Sequence, residues 1–272
     1  MSDYIRSNFE SLRIASVPFY NAWPLTRFLD EELPQAELFS MYPSAMREAF
    51  ANGQIDVALL PVAEITNISG AEIIADACIG SYGAVQSVLL VSKIPLEKIR
   101  TLALDSASRT SVTLAKIMLQ RFYSIEPEYV PLDFGQSLNR CRADALVVIG
   151  DRALAFDPSG HWKFRYDLGQ WWYEKTGLPF VFAAWVGVPG ELKKKYELAA
   201  ISEGLAHSRD RGVALIDRIV DEKIRQFKSD GMEPLVGADK LIDYLKNSIQ
   251  YFLDDEYRKG LALFREFIVN PR

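Results

Sequence analysis

Short aliphatic and β-branched runs alternate with helix-period stretches from Leu12 onward, and this alternation constrains the chain more than any other feature. It is the pattern of an α/β protein built on a mostly parallel sheet. The stretch from Leu12 to Val17 predicts a first strand and Pro18 to Asn21 a loop. A helix is predicted from Ala22 to Leu33, with Leu25, Phe28 and Leu29 on one face. A second strand from Ala36 to Met41 precedes a helix from Pro43 to Asn52 that turns Met46, Ala49 and Phe50 inward. Asn52-Gly53 ends that helix as a left-handed cap would. Val57 to Leu60 is a third strand, stopped by Pro61.

The middle of the chain repeats the scheme as a separate unit. It has a strand at 101–104, an amphipathic helix at 111–122, a short strand at 129–131 and a buried strand at 143–149 that ends at Gly150. Extended runs stand on either side, Ser87 to Ser92 before and Val181 to Val188 after. An inserted α/β unit between two extended segments suits a two-lobed clamshell with hinge strands. The expected first lobe is 1–92 plus 184–272, the inserted second lobe is 93–183, and the cleft lies between them. The chain from Glu191 to Arg272 reads as almost wholly helical, folding back on the first lobe. Trp171, Trp172 and Tyr173 lie beside an apolar run and read as packed core or lobe interface.

Composition narrows the function. The 272 residues are 49% hydrophobic and 25% charged, the balance of a globular protein. With 31 Lys and Arg against 36 Asp and Glu, the net charge of −5 is the wrong sign for a nucleic-acid binder. The one dense basic cluster, Lys193 to Lys195, reads as the exposed face of a helix. Cys78 and Cys141 are too far apart for a zinc or redox motif and are expected to be buried thiols. No stretch from Met1 to Arg13 suits a signal peptide, and no later one has the ~18 apolar residues of a membrane span. The expectation is a cytoplasmic protein without membrane or nucleic-acid partners, monomer or homodimer.

Neither histidine recommends itself as a general base: His161 lies in a loop and His207 among charged residues of a helical pattern. Better candidates are polar residues where strands end, because α/β sheets bind ligands beyond the carboxyl ends of their strands. Asn21 is one, either as a ligand group or as the N-cap of the helix from Ala22. Gly80 to Ser87 is a second, either a hairpin turn or a glycine-rich approach to a ligand through Gly83 and Val85, with Ser87 opening the hinge strand. The third is Asp105 to Ser111. There Ser108, Thr110 and Ser111 stand at a helix start suited to an anion, and Arg109 near the positive end of that helix calls for one. Gly150-Asp151 is the fourth, with Asp151 a ligand group or a cap. No glycine-rich nucleotide fingerprint is present, and nothing in the chain requires a metal or an organic cofactor.

Several stretches, taken in order, resemble the chorismate dehydratase family of the futalosine route to menaquinone. They are Ser16-Val17-Pro18-Phe19-Tyr20-Asn21-Ala22-Trp23-Pro24-Leu25, Asp56-Val57-Ala58-Leu59-Leu60-Pro61-Val62-Ala63-Glu64, Ile79 through Ser92, and Leu104 through Val112. Val148 through Leu154 and Gly177 through Ala183 continue the match. Pro18-Phe19-Tyr20 departs from the family pattern, which expects a tyrosine and a small or aliphatic residue before the asparagine. The resemblance implies a fold similar to type II periplasmic binding proteins. It also implies a hydro-lyase that needs no cofactor and takes chorismate to 3-[(1-carboxyvinyl)oxy]benzoate and water. The family's functional asparagine and serine fall on Asn21 and Ser87. Pro61, Gly83, Val85, Ser108, Arg109, Thr110, Ser111, Gly150 and Asp151 are then the expected substrate-binding positions.

Chorismate is a dicarboxylate, so an acidic protein must hold it with local donors, Arg109 and the helix start among them. The base is expected to be the substrate's own enolpyruvyl carboxylate, with Asp151 as the alternative. Three other readings carry different chemistry. A small-anion binding protein of the same fold would be expected to carry an export signal. A regulator's effector lobe would follow a helix-turn-helix. The sister family acting on cyclic dehypoxanthine futalosine is expected to use a cleft histidine.

Overall fold

Val57–Pro61, Val88–Ser92 and Ala145–Ile149 are each buried along their whole length, which only strands covered on both faces sustain. The computed structural model describes residues 11–105, 109–132, 138–157 and 160–270. The strands are β1 Leu12–Ser16, β2 Ala36–Ser40, β3 Val57–Pro61, β4 Glu72–Ser81, β5 Val88–Ser92, β6 Thr101–Asp105, β7 Glu128–Leu132, β8 Ala145–Ile149, β9 Phe164–Asp167, β10 Phe180–Gly187 and β11 Gln250–Phe252.

They form two sheets, ordered β11-β4-β10-β3-β1-β2 and β7-β6-β8-β5-β9. Each contains a parallel trio, β3-β1-β2 in one and β8-β6-β7 in the other, flanked by one antiparallel strand, β10 or β5. The two halves therefore share one plan, the one read from the alternation. The sheets are mixed rather than mostly parallel, because the strands carrying the chain between them run against the trios.

The run at 88–92, expected to close the first lobe, pairs instead with β8 and β9 of the second sheet. The chain leaves the first sheet after Ser81 and re-enters it at Phe180. Residues 82–87 are thus a crossing between sheets and not a hairpin turn.

Local chemistry sets other departures. The helix expected over 22–33 is broken into a 3-10 turn Tyr20–Ala22 and the helices Trp23–Thr26 and Leu29–Glu32. The Thr26 hydroxyl bonds back to the Ala22 carbonyl at 2.9 Å, and Phe28 leaves helical geometry (φ −114°, ψ 11°). The cap at Gly53 has the expected left-handed backbone, φ 69°. The helical C-terminal region contains one strand, β11, which extends the first sheet beyond β4.

The helix Asp255–Val269 packs over β10, where Phe264 meets Phe180 at 4.9 Å between centroids and Phe180 meets Trp172 at 5.2 Å. Trp171 and Trp172 are buried, so this aromatic cluster is core. Cys78 and Cys141 are buried free thiols, and Lys193 to Lys195 lie exposed on the helix Pro189–Lys195. Among the described residues no helix is long and apolar enough to cross a membrane.

Candidate active site

Between the two trios lies a cleft enclosing about 580 Å³. Its wall draws on the ends of both trios: Val17 and Phe19 after β1, Leu59 and Pro61 in β3, Thr110 and Ser111 after β6, and Ile149 and Gly150 at the end of β8. This is where a doubly wound sheet exposes its strand ends to ligands. Ile79, Val85, Phe182 and Ala183 complete a largely apolar lining, into which Asn21 and Ser87 bring polar groups. Among the described residues, no charged side chain forms this wall.

Asn21 is held by its neighbour. The Tyr20 backbone N–H donates to Asp151 Oδ1 at 3.1 Å, and the Tyr20 hydroxyl accepts the Leu235 N–H at 2.9 Å. The loop is thereby tied to both the β8 end and the C-terminal region. Phe19, where the sequence departs from the family pattern, packs against Gly150: a Cβ there would lie 3.5 Å from its ring. Asn21 makes no capping bond to the helix that follows, and its Oδ1 is buried without a hydrogen-bond partner. The capping role is therefore excluded, and an orphaned buried acceptor faces a ligand cleft.

Ser87 is fixed through Asp167, a residue that no sequence pattern singles out. Its carboxylate accepts the N–H groups of Val85 (3.0 Å) and Gln86 (2.7 Å) while capping the helix Leu168–Thr176 through Gly169 (3.0 Å) and Gln170 (3.1 Å). Burial still pushes the Asp167 carboxyl upward against those four donors. The grip holds Gln86 at φ 62°, a conformation that costs a non-glycine residue about 1–2 kcal/mol. Gln86 Nε2 also donates to Ser248 Oγ at 2.6 Å. Ser87 follows directly, its carbonyl accepting the Gly150 N–H at 2.7 Å and its Oγ accepting the Tyr244 hydroxyl at 2.7 Å.

Of the expected positions, Asn21, Pro61, Val85, Ser87, Thr110, Ser111 and Gly150 line the cleft together. Ser108 lies outside the described residues. Gly83 is withdrawn from the wall: it turns the crossing at φ 87°, its carbonyl accepting the Ser81 hydroxyl. Arg109 is displaced to an adjoining hollow with Arg47 and Glu64. There buried Glu64 takes Arg47 at 2.7 Å and Arg109 at 3.4 Å, so the anion that Arg109 calls for is supplied by the protein itself. Thr110 Oγ1 accepts the Ala63 N–H at 3.1 Å, joining the two sides of the cleft. Both histidines are exposed; His207 stands 3.7 Å from Glu32.

Asp151 sits one residue behind the wall. Burial pushes its carboxyl up to about 7, opposed by the Tyr20 N–H. The folded protein therefore binds a proton there that the unfolded chain releases near pH 4, and this group's contribution to stability falls as pH rises from about 4 to 7. Asp151→Asn keeps an oxygen for Tyr20 without the charge. Relative to wild type, the variant is expected to gain about 2–3 kcal/mol between pH 5 and pH 8. Chemical unfolding at both pH values measures this, and an unchanged gap contradicts it.

Comparison with known proteins agrees with this geometry. A family model described as menaquinone biosynthesis matches residues 12–270. A chorismate dehydratase from Thermus thermophilus is 26% identical over 276 residues, covering 95% of this chain and 96% of that protein. Another from Campylobacter jejuni is 28% identical over 171 residues, covering 56% of this chain and 65% of that protein. Among solved structures, protein AF1704 from Archaeoglobus fulgidus superposes with a TM-score of 0.68 at 14% identity, covering 95% and 96% of the two chains. The alkanesulfonate-binding protein SsuA from Xanthomonas axonopodis pv. citri does so at 0.67 and 13%, covering 98% and 95%. A Candida albicans protein described as having the generic periplasmic binding protein fold gives 0.56 at 11%, covering 96% and 94%. These likenesses establish the fold expected from sequence.

Proposed function

Because the chain belongs to the menaquinone biosynthesis family, we propose that it is a chorismate dehydratase, a hydro-lyase of the futalosine route acting in the cytoplasm. One observation carries the reading: Asn21 and Ser87, far apart in the sequence, meet in an apolar cleft whose described wall has no charged side chain. We take the two sheets as the two lobes that meet at this cleft.

The chemistry suits such a wall. Chorismate must lose the C3 hydrogen and the C4 hydroxyl, and the ring becomes aromatic, which makes the reaction strongly downhill. What the protein has to supply is position and stabilisation of charge as it develops. Loss of the C3 proton sends its electron pair into the ring toward the C1 carboxylate. Neutral donors at Ser87 and at the start of the helix Arg109–Ile117, where Thr110 and Ser111 stand, suit that growing charge.

No histidine, carboxylate or lysine forms the described wall. Asp151 is set back and engaged by Tyr20, with burial favouring its protonated form. The enolpyruvyl carboxylate of the substrate is therefore the base. It takes the C3 proton; the C4–O bond breaks with its pair on oxygen; and that oxygen takes a proton and departs as water. Arg109 serves the cleft from outside it, through Glu64.

Incubation of the purified protein with chorismate tests the reading. A product lighter by one water with a benzoate ultraviolet spectrum is expected. Binding of chorismate without turnover would overturn it in favour of a solute-binding protein on the same scaffold.

A further inference from the structure

Tyr244 opens the π-helical turn Tyr244–Ser248 and is buried, 1% exposed, behind the cleft wall. Its hydroxyl donates to Ser87 Oγ at 2.7 Å. Burial raises the phenol well above its ordinary value, so it keeps its proton at neutral pH. The Asn21 side chain hydrogen-bonds to the same hydroxyl and opposes that rise. A bond that eases phenolate formation is one the amide donates, so the Nδ2 end of Asn21 is turned to Tyr244. Its Oδ1 is the end left buried without a partner.

We propose that Tyr244 is a positioning residue that fixes the polarity of the two cleft groups, so that Ser87 meets the substrate as a donor and Asn21 meets it as an acceptor. The hydroxyl of Tyr244 occupies the acceptor side of Ser87, leaving the Ser87 hydrogen to point elsewhere. It also engages the donor end of Asn21, leaving a carbonyl oxygen for the ligand. On the chorismate reading, on which this rests, the roles divide. A carboxylate belongs against Ser87 and not against Asn21 Oδ1, where two acceptors would meet. The C4 hydroxyl is the substrate's donor and belongs at Asn21. With its own hydrogen held there, its lone pairs are free to take the proton that lets it leave as water.

Tyr244→Phe keeps the ring in the core and removes only the hydroxyl. A double-mutant cycle with Ser87→Ala separates positioning from packing. If Tyr244 acts through Ser87, Tyr244→Phe lowers kcat/KM for chorismate about tenfold in the wild-type background and less than about twofold on Ser87→Ala. Equal losses in both backgrounds would overturn the proposal. The same cycle read as the Kd for benzoate reports on the donor role of Ser87 without turnover. A wild-type protein silent on chorismate would sink the activity, while the benzoate cycle still supports or overturns the role of Tyr244.

Discussion

Asn21→Ala is expected to lower kcat for chorismate about a hundredfold while leaving stability within about 1 kcal/mol of wild type. The two halves of this expectation have separate causes. Asn21 contributes no cap to the helix after it, and its Oδ1 has no partner in the protein. Removing a buried acceptor that is already unsatisfied relieves a cost, and this offsets the lost hydrogen bond to Tyr244. Function has no such compensation, because a methyl group in its place cannot orient the leaving hydroxyl. Kinetics beside chemical unfolding measures both, and a variant with full turnover would remove Asn21 from the account.

Gly212→Ala has the opposite signature, a large loss of stability far from the chemistry. A Cβ on Gly212 would lie 1.8 Å from the Pro24 carbonyl oxygen and 2.6 Å from its carbon. Both are backbone atoms, and they cannot rotate away. The same helix is also tied to this place one turn earlier, since the Ser208 hydroxyl donates to the Leu25 carbonyl at 2.9 Å. The helix Leu198–Ala214 must therefore back away from Trp23–Thr26 as a body. We expect a loss of roughly 3 kcal/mol or more, lowering Tm by about 6 °C or more. Because Trp23–Thr26 follows the Asn21 turn directly, turnover should fall as well. Gly190→Ala, where a Cβ meets nothing within 4 Å, is the control and should leave Tm unchanged or slightly raised. Equal melting of the two variants would contradict the packing argument.

The parts of this structure that are legible in the sequence are those where one local pattern decides the outcome. β1, β3 and β8 are dense aliphatic runs bounded by turn residues, and the helix Pro43–Ala51 carries its own stop in Gly53. β4 escapes because Glu72, Asp76 and several small residues interrupt its aliphatic content, and register shifts against β10 break its alternation. The helix Leu168–Thr176 opens on Leu168-Gly169, which reads as a helix breaker. Glycine is needed there because a Cβ would meet Gly83 O and Ser81 Oγ at 2.6 Å.

The site divides in the same way. Asn21 and Ser87 stand out by motif and by their place after or before a strand. The residues that hold them do not, because their partners are distant: Asp167 lies 82 residues from Val85, and Tyr244 lies 157 from Ser87. A tyrosine in a buried helical stripe is itself a signal, since its hydroxyl needs a partner where phenylalanine would not. Arg109 does stand at a helix start, but the anion beside it is Glu64, which only the tertiary structure brings there.

The most direct test of the central claim is turnover of chorismate carrying deuterium at C3, followed by the mass of the product. The account predicts 3-[(1-carboxyvinyl)oxy]benzoate without deuterium, formed by wild type and scarcely by Asn21→Ala. Chorismate recovered unchanged, or a product that retains the label, would contradict it.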